Sequence, residues 1–179
     1  MNRGRLALAA AGAALAAVVV AGVVVAQRGD TTALPTPAPS GGGGAAPALS
    51  GTDPVTGKRV DLADFRGRPV VINIWASWCP GCIAEARDLA EFARKHPEAQ
   101  VLGIDTQDTE GEARAFYARW GWTHPSIFDP DGSLAARLAL QGLPSTYFLN
   151  ERHEIVARIV GEADLAGFEE GLRQATSEG

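Results

Sequence analysis

Apolar and polar positions divide the chain into three stretches of different character. The first, Leu6 to Ala26, has no period: it is 21 consecutive uncharged residues, only Ala, Leu, Val and Gly. The second, residues 27–47, is small and polar. In it Pro35, Pro37 and Pro39 alternate with small residues, and four glycines, Gly41 to Gly44, follow. The third, residues 48–179, carries strand and helix periods in turn. Asp53-Pro54 with Gly57 marks a turn between two short strands, an N-terminal hairpin. Val70 to Trp75 is a near-continuous, β-branched apolar run, the pattern of a strand covered on both faces. Ile83, Ala86, Leu89, Ala90 and Ala93 recur at helical spacing, which predicts a helix over 80–95. Val101 to Ile104 reads as a second buried strand. Thr109 with Glu112 forms a capping-box pattern that opens a helix to about Trp120. Asp129-Pro130-Asp131-Gly132 is a turn, with Ser133 as the cap of a short helix. Thr146 to Leu149 and Glu154 to Val160 read as a hairpin, and a last helix covers about Ala163 to Ala175. This order predicts an α/β domain with a central mixed sheet flanked by helices.

The first two stretches set the expected location. Arg3 and Arg5 precede the uncharged run, while Arg28 and Asp30 after it nearly cancel. That asymmetry places the N-terminus in the cytoplasm and the remainder outside. Length favours a membrane anchor over residues 1–26. Val24 and Ala26 before Gln27 resemble a cleavage site, so a signal peptide and a secreted or periplasmic product is the other reading. Residues 27–47 cannot bury enough apolar surface to offset their ordering entropy, and are expected to be a disordered linker. A coil of about 20 residues would hold the domain about 25 Å from its anchor.

Composition excludes some classes. The 179 residues carry a formal net charge of −5, which argues against a nucleic-acid binder. The chain has two cysteines, three positions apart in Cys79-Pro80-Gly81-Cys82. A loop this short constrains the unfolded chain little, so stapling is a weak reason for the pair. A structural zinc site needs four ligands, and His96, His124 and His153 have no ligand-like spacing. Neither a metal nor another cofactor is expected.

Position explains the pair better. Cys79 falls where the predicted central strand meets the first long helix. Pro80 at the first helical position has its φ already set and no N–H to lose. The free N–H groups and dipole at a helix start favour an anion, hence the thiolate that attacks disulfides. Cys82, one turn later, is placed to resolve the mixed disulfide.

Resemblance narrows this further. Gly67-Arg68-Pro69-Val70-Val71-Ile72-Asn73-Ile74-Trp75-Ala76-Ser77-Trp78-Cys79-Pro80-Gly81-Cys82 resembles the active-site segment of the TlpA/ResA/CcmG (DsbE-type) branch of thioredoxin-like proteins. Motif order extends the resemblance over residues 48–177. It implies a thioredoxin-like fold, redox-active Cys79 and Cys82, and an extracytoplasmic thiol–disulfide oxidoreductase. Gly142-Leu143-Pro144-Ser145-Thr146 resembles the family loop in which the peptide bond before the proline is cis and faces the cysteines. With Leu143 and Pro144, the site-shaping positions implied are Trp78, Pro80 and Gly81. The branch often has a glutamate three residues after the second cysteine, and Glu85 stands there. The strand position that holds an aspartate in classical thioredoxins resembles Asn73, which cannot titrate. One departure is Arg87, where the family often has proline.

The resemblance also implies partners. These are exported proteins with cysteines, such as apocytochrome c in cytochrome c maturation, and a thiol partner that relays electrons across the membrane. A monomer is expected. Two other functions stay open at this point. One is a disulfide oxidase or isomerase for secreted proteins, because Pro80-Gly81 does not declare the redox potential. The other is a Cu(I)-binding chaperone module that uses the two thiols as soft ligands. A peroxidase fits poorly, because Ala76 stands where a Thr-x-x-Cys pattern needs threonine.

Overall fold

A computed structural model describes residues 36–37 and 44–177. Eight strands and four α-helices follow in chain order: β1 (Thr36–Pro37), β2 (Ser50–Thr52), β3 (Arg59–Asp61), β4 (Val70–Trp75), α1 (Pro80–Lys95), β5 (Gln100–Thr106), α2 (Glu110–Trp120), β6 (Ser126–Asp129), α3 (Ser133–Arg137), β7 (Ser145–Leu149), β8 (Ile155–Val160) and α4 (Leu165–Ser177). A short 3₁₀ turn, Leu62–Phe65, follows β3.

Six strands form one mixed sheet in the order β1-β8-β7-β4-β5-β6, and β2-β3 form a separate hairpin. β4 runs parallel to β5, β5 parallel to β6, and β7 antiparallel to β4 and β8. This is the thioredoxin-like fold that the residue pattern and the resemblance imply, with its N-terminal hairpin.

β4 is central because every side chain it carries can be buried, and all six are. Alternation along the strand splits them between two cores. Val71 and Trp75 face a cluster with Leu89 and Phe92 of α1 and Phe168 of α4. Val70, Ile72 and Ile74 face a second cluster with Leu102, Ile104, Leu149 and the hairpin's Val60. Asn73 is the one polar residue in the strand and is fully buried. It shares its face with Val71 and Trp75, the face covered by α1.

Three elements differ from expectation. β6 was not anticipated: it is a four-residue strand between two prolines, too short to display a period. β5 extends through Asp105 and Thr106, polar residues that are nevertheless buried. Ser133 does not cap α3. Gly132 is the N-cap, and the Asp129 carboxylate, three residues earlier, accepts from the N–H groups of Leu134 and Ala135, both at 3.0 Å.

The N-terminal expectations meet the structure only in part. Residues 1–26, expected as an anchor, lie outside the described residues. Among the described residues no helix is long and apolar enough to cross a membrane. Within the stretch expected as a disordered linker, Thr36–Pro37 instead run antiparallel to β8, and Ala45 bridges to Glu154. Backbone pairing with the sheet edge holds these residues, and composition does not encode it.

Candidate active site

The β4–α1 junction holds both cysteines. Cys79 is the N-cap of α1, in extended conformation, and Pro80 occupies the first turn. A side chain at this position can accept an orphan N–H of the first turn. Here the acceptor is sulfur: the Cys82 N–H donates to Cys79 Sγ at 3.3 Å. Both thiols are free, with Cys79 3% exposed and Cys82 fully buried. The Cys82 thiol is pushed far above the ordinary thiol range, first by burial and then by its hydrogen bond with the Cys79 side chain. The two sulfurs differ in place: Cys79 stands at the helix cap and Cys82 one turn inside it, both buried.

Glu85 follows one turn after Cys82. It is 2% exposed, which rules out a solvated helix glutamate. Its Oε1 accepts from Asn73 Nδ2 at 2.8 Å, and its Oε2 from the Ala163 N–H at 3.0 Å. These bonds favour the anion, yet burial outweighs them and raises its pKa to about 8. The charges of Glu162 and Asp88 push the same way. A carboxyl group near neutrality is thus built into the helix beneath the cysteines, and its charge also bears on Cys82.

The remaining positions surround the sulfurs. The Leu143–Pro144 peptide is cis, as the resemblance implies. Gly81 lies against this loop: a Cβ there would come within 2.8 Å of Pro144 Cδ. Leu143 is half-buried and packs on both cores. Trp78 is 55% exposed beside Cys79, and its indole N–H donates to the Gln107 carbonyl at 3.0 Å. Trp75 is instead core, stacked among Phe116, Tyr117 and Trp122.

Several residues at the site had drawn no functional reading. Asn73 is recognisable in sequence as a non-titrating replacement, but its bond to Glu85 depends on tertiary packing. Ala163 reaches Glu85 across 78 positions, and a backbone N–H leaves no sequence signal. Asp108 accepts from the Ser77 N–H at 2.6 Å and from Ser77 Oγ at 3.1 Å. Its place just before the Thr109 cap was the available clue. Among the described residues no group of three or more His, Cys, Asp or Glu is arranged to hold a metal ion.

The Redoxin family model matches residues 42–172. The thiol:disulfide interchange protein DsbE of Vibrio cholerae is 32% identical over 117 residues, 65% of this chain and 62% of that protein. The thiol-disulfide oxidoreductase ResA of Bacillus thuringiensis is 26% identical over 133 residues, 73% of this chain and 76% of the relative. The chain thus spans somewhat less than two thirds of that DsbE and about three quarters of that ResA. Among solved structures, a DsbF homologue from Corynebacterium diphtheriae superposes with a TM-score of 0.71 at 27% identity, covering 82% of this chain and 94% of its own.

Proposed function

The chain belongs to the Redoxin family, and from that membership we propose that it is a thiol–disulfide oxidoreductase working through Cys79 and Cys82 on exported proteins. The observation that carries this reading is a sulfur at the N-cap of α1 that receives the N–H of Cys82, which itself stands one turn ahead of a buried acid.

In the reducing direction, the Cys79 thiolate attacks one sulfur of a substrate disulfide. The substrate S–S bond breaks, and its second sulfur leaves with the electron pair and takes up a proton. Cys82 then loses its proton to Glu85 and attacks the Cys79 sulfur. The mixed disulfide breaks, the substrate's first sulfur leaves with the electron pair and takes up a proton, and the substrate departs as a dithiol while Cys79 and Cys82 are left joined as a disulfide. Burial keeps the Cys82 thiol protonated, so this second step needs a base nearby. Glu85 is the acid best placed for the exchange, because its raised pKa matches a proton acceptor working near neutrality. Trp78, Pro80, Gly81, Leu143 and Pro144 shape the surface on which the substrate sulfur arrives.

The resemblance supports a specific setting. Residues 1–26 serve as an anchor, residues 27–47 as the tether that leads to the domain of residues 48–179, and the domain acts on the outer face of the membrane. Its substrates are cysteine pairs such as those of apocytochrome c, and a membrane thiol relay restores its electrons.

The test is a glutathione redox titration of the full chain, paired with trapping by Cys82→Ala. A reductant should titrate well below the about −120 mV of a strong oxidant such as DsbA. Cys82→Ala should accumulate mixed disulfides with exported proteins, and Cys79→Ser should not. A titration at the oxidising end, with disulfides formed in a reduced test protein, would move the assignment to an oxidase. Stoichiometric Cu(I) on the reduced protein without thiol exchange would move it to a metal-binding module.

A further inference from the structure

We propose that Asp108 is a positioning residue for Cys79, bracing the turn that delivers the sulfur to the head of α1. This rests on the oxidoreductase reading above and concerns how its nucleophile is held.

Cys79 reaches its N-cap through a tight turn in which its N–H donates to the Ala76 carbonyl at 3.2 Å. The two inner residues of that turn are Ser77 and Trp78. Neither is fixed by α1. Ser77 gives both its N–H and its hydroxyl to the Asp108 carboxylate, at 2.6 and 3.1 Å. Trp78 gives its indole N–H to the carbonyl of the adjacent Gln107 at 3.0 Å. The loop after β5 therefore holds both inner positions from the side, using two consecutive residues. Gln107 itself sits in the left-handed region with φ of 53°, a conformation unusual for a side-chain-bearing residue. Its N–H is tied to the Asp129 carbonyl at 3.0 Å, which anchors the loop to β6.

The surrounding charges show that this arrangement is for geometry. Asp108 is largely buried and takes a third donor, the Thr109 N–H, at 2.8 Å. Asp129 takes Thr106 Oγ1 and Ser133 Oγ besides the two N–H groups of α3. Asp105 lies with them, fully buried, and neither of its oxygens has a hydrogen-bond partner. Asp108 and Asp129 are thus supplied with donors, and Asp105 is not. The groups facing Asp105 are Asp108, Asp129 and Glu112, with Tyr117 from α2. A carboxylate held against Ser77, two positions before Cys79, opposes a thiolate there by Coulomb repulsion. Charge alone would make Asp108 a hindrance, so its contribution must come through the three donors it orders.

Position and charge thus predict opposite results for one variant. In the full chain, Asp108→Asn removes the charge, keeps the size and presents an amide N–H₂ to the Ser77 donors. If Asp108 positions Cys79, iodoacetamide alkylation of Cys79 slows at every pH from 6 to 9, and kcat on a disulfide substrate falls about tenfold with KM unchanged, the weight of one charge-assisted hydrogen bond. Ser77→Ala, which loses only the hydroxyl arm, should cost about twofold. Alkylation as fast as or faster than in the parent would overturn the proposal, because it is the signature of a purely electrostatic effect. So would a loss that tracks only the unfolded fraction on thermal melting. If Asp108→Asn does not fold, Ser77→Ala decides alone, and an unchanged kcat in it sinks the idea. A parent chain with no thiol exchange at all would instead condemn the oxidoreductase reading itself.

Discussion

Asn73 on β4 and Glu85 on α1 meet in the interior, with Nδ2 of one 2.8 Å from Oε1 of the other, beneath a cysteine pair that begins at the same strand–helix junction. The amide gives its second hydrogen to Thr146 Oγ1 at 3.1 Å, which ties the pair to β7. A strand position that cannot titrate thus orients a helix acid that can. The titrating group is placed one turn beyond Cys82 and is reached from the sheet by an uncharged donor.

Glu85→Gln tests this placement through pH. The folded-state pKa of Glu85 is about 8, against an ordinary 4.5. Between those values the folded protein holds a proton that the unfolded chain has released. Stability therefore falls as pH rises from about 4.5 to 8, and the penalty is absent below that window. Gln cannot ionise, so the variant should gain on the parent across the same window, by on the order of 3–5 kcal/mol between pH 4 and 9. Urea unfolding at a series of pH values measures this. The rate of mixed-disulfide resolution should meanwhile drop and lose its inflection near pH 8. A parallel pH dependence for parent and variant would remove Glu85 as the buried acid.

Asn73→Asp places a second carboxyl against the first. Two acids 2.8 Å apart cannot both ionise in a buried site, so the pair will hold one proton to higher pH. The Thr146 contact also loses its amide donor. The expected cost at pH 7 is about 2–4 kcal/mol, seen as a lower Tm. The inflection in the resolution rate should move above that of the parent. An unchanged profile would mean that Asn73 does not set the environment of Glu85.

Gly81→Ala separates site geometry from stability. The added methyl would lie 2.8 Å from Pro144 Cδ and 3.9 Å from Glu162 Cβ. A proline ring in a loop between two packed segments has little room to yield. Alanine, however, favours the helix by up to about 1 kcal/mol over glycine, which offsets part of the overpacking cost. Tm should therefore shift by only a few degrees, while kcat/KM on a disulfide substrate falls about tenfold because the Pro144 loop is pushed from the sulfurs. Equal and small effects on both measurements would show that the loop accommodates the methyl group.

Legibility in the sequence followed the range of the interactions. The helix over 80–95 was readable to its ends, because Cys79-Pro80 and the spacing of Ile83, Ala86 and Leu89 are local signals. β4 was equally plain as six apolar-to-neutral residues buried on both faces. The hairpins β2–β3 and β7–β8 followed from their turns. What escaped was non-local. β6 shows no period in four residues, and Thr36–Pro37 join the sheet through backbone bonds that composition does not encode. Two cysteines and a helix acid could be singled out because their spacing carries chemistry. Their supports could not: Ala163 acts through its N–H, and Asp108 looks like an ordinary residue before a capped helix until Ser77 is seen to donate to it twice.

Asp105→Asn extends the argument from the cysteines to the carboxylates behind them. Asp105 has a pKa raised to about 8, chiefly by burial and then by the charge of Asp108. Neither of its oxygens meets a hydrogen-bond donor that would favour the anion. The group is an acid held neutral when folded and ionised above about pH 4 when unfolded. Its contribution to stability declines as pH climbs towards 8, for the same reason as for Glu85. Above 8 it ionises beside Asp108, and two buried anions then face each other under the Ser77–Trp78 turn. Asn removes that charge. The variant should keep its Cys79 alkylation rate relative to model thiols constant between pH 8 and 9.5, where the parent's relative rate should fall as the brace loosens. Its stability should rise relative to the parent between about pH 4 and 8 and level off above that, after a roughly constant cost of about 1–3 kcal/mol for an unpaired buried amide. A parent whose relative rate holds steady through pH 9.5 would show that Asp105 stays neutral there or that its charge does not reach the turn, and native-state titration of Asp105 by NMR separates those two outcomes.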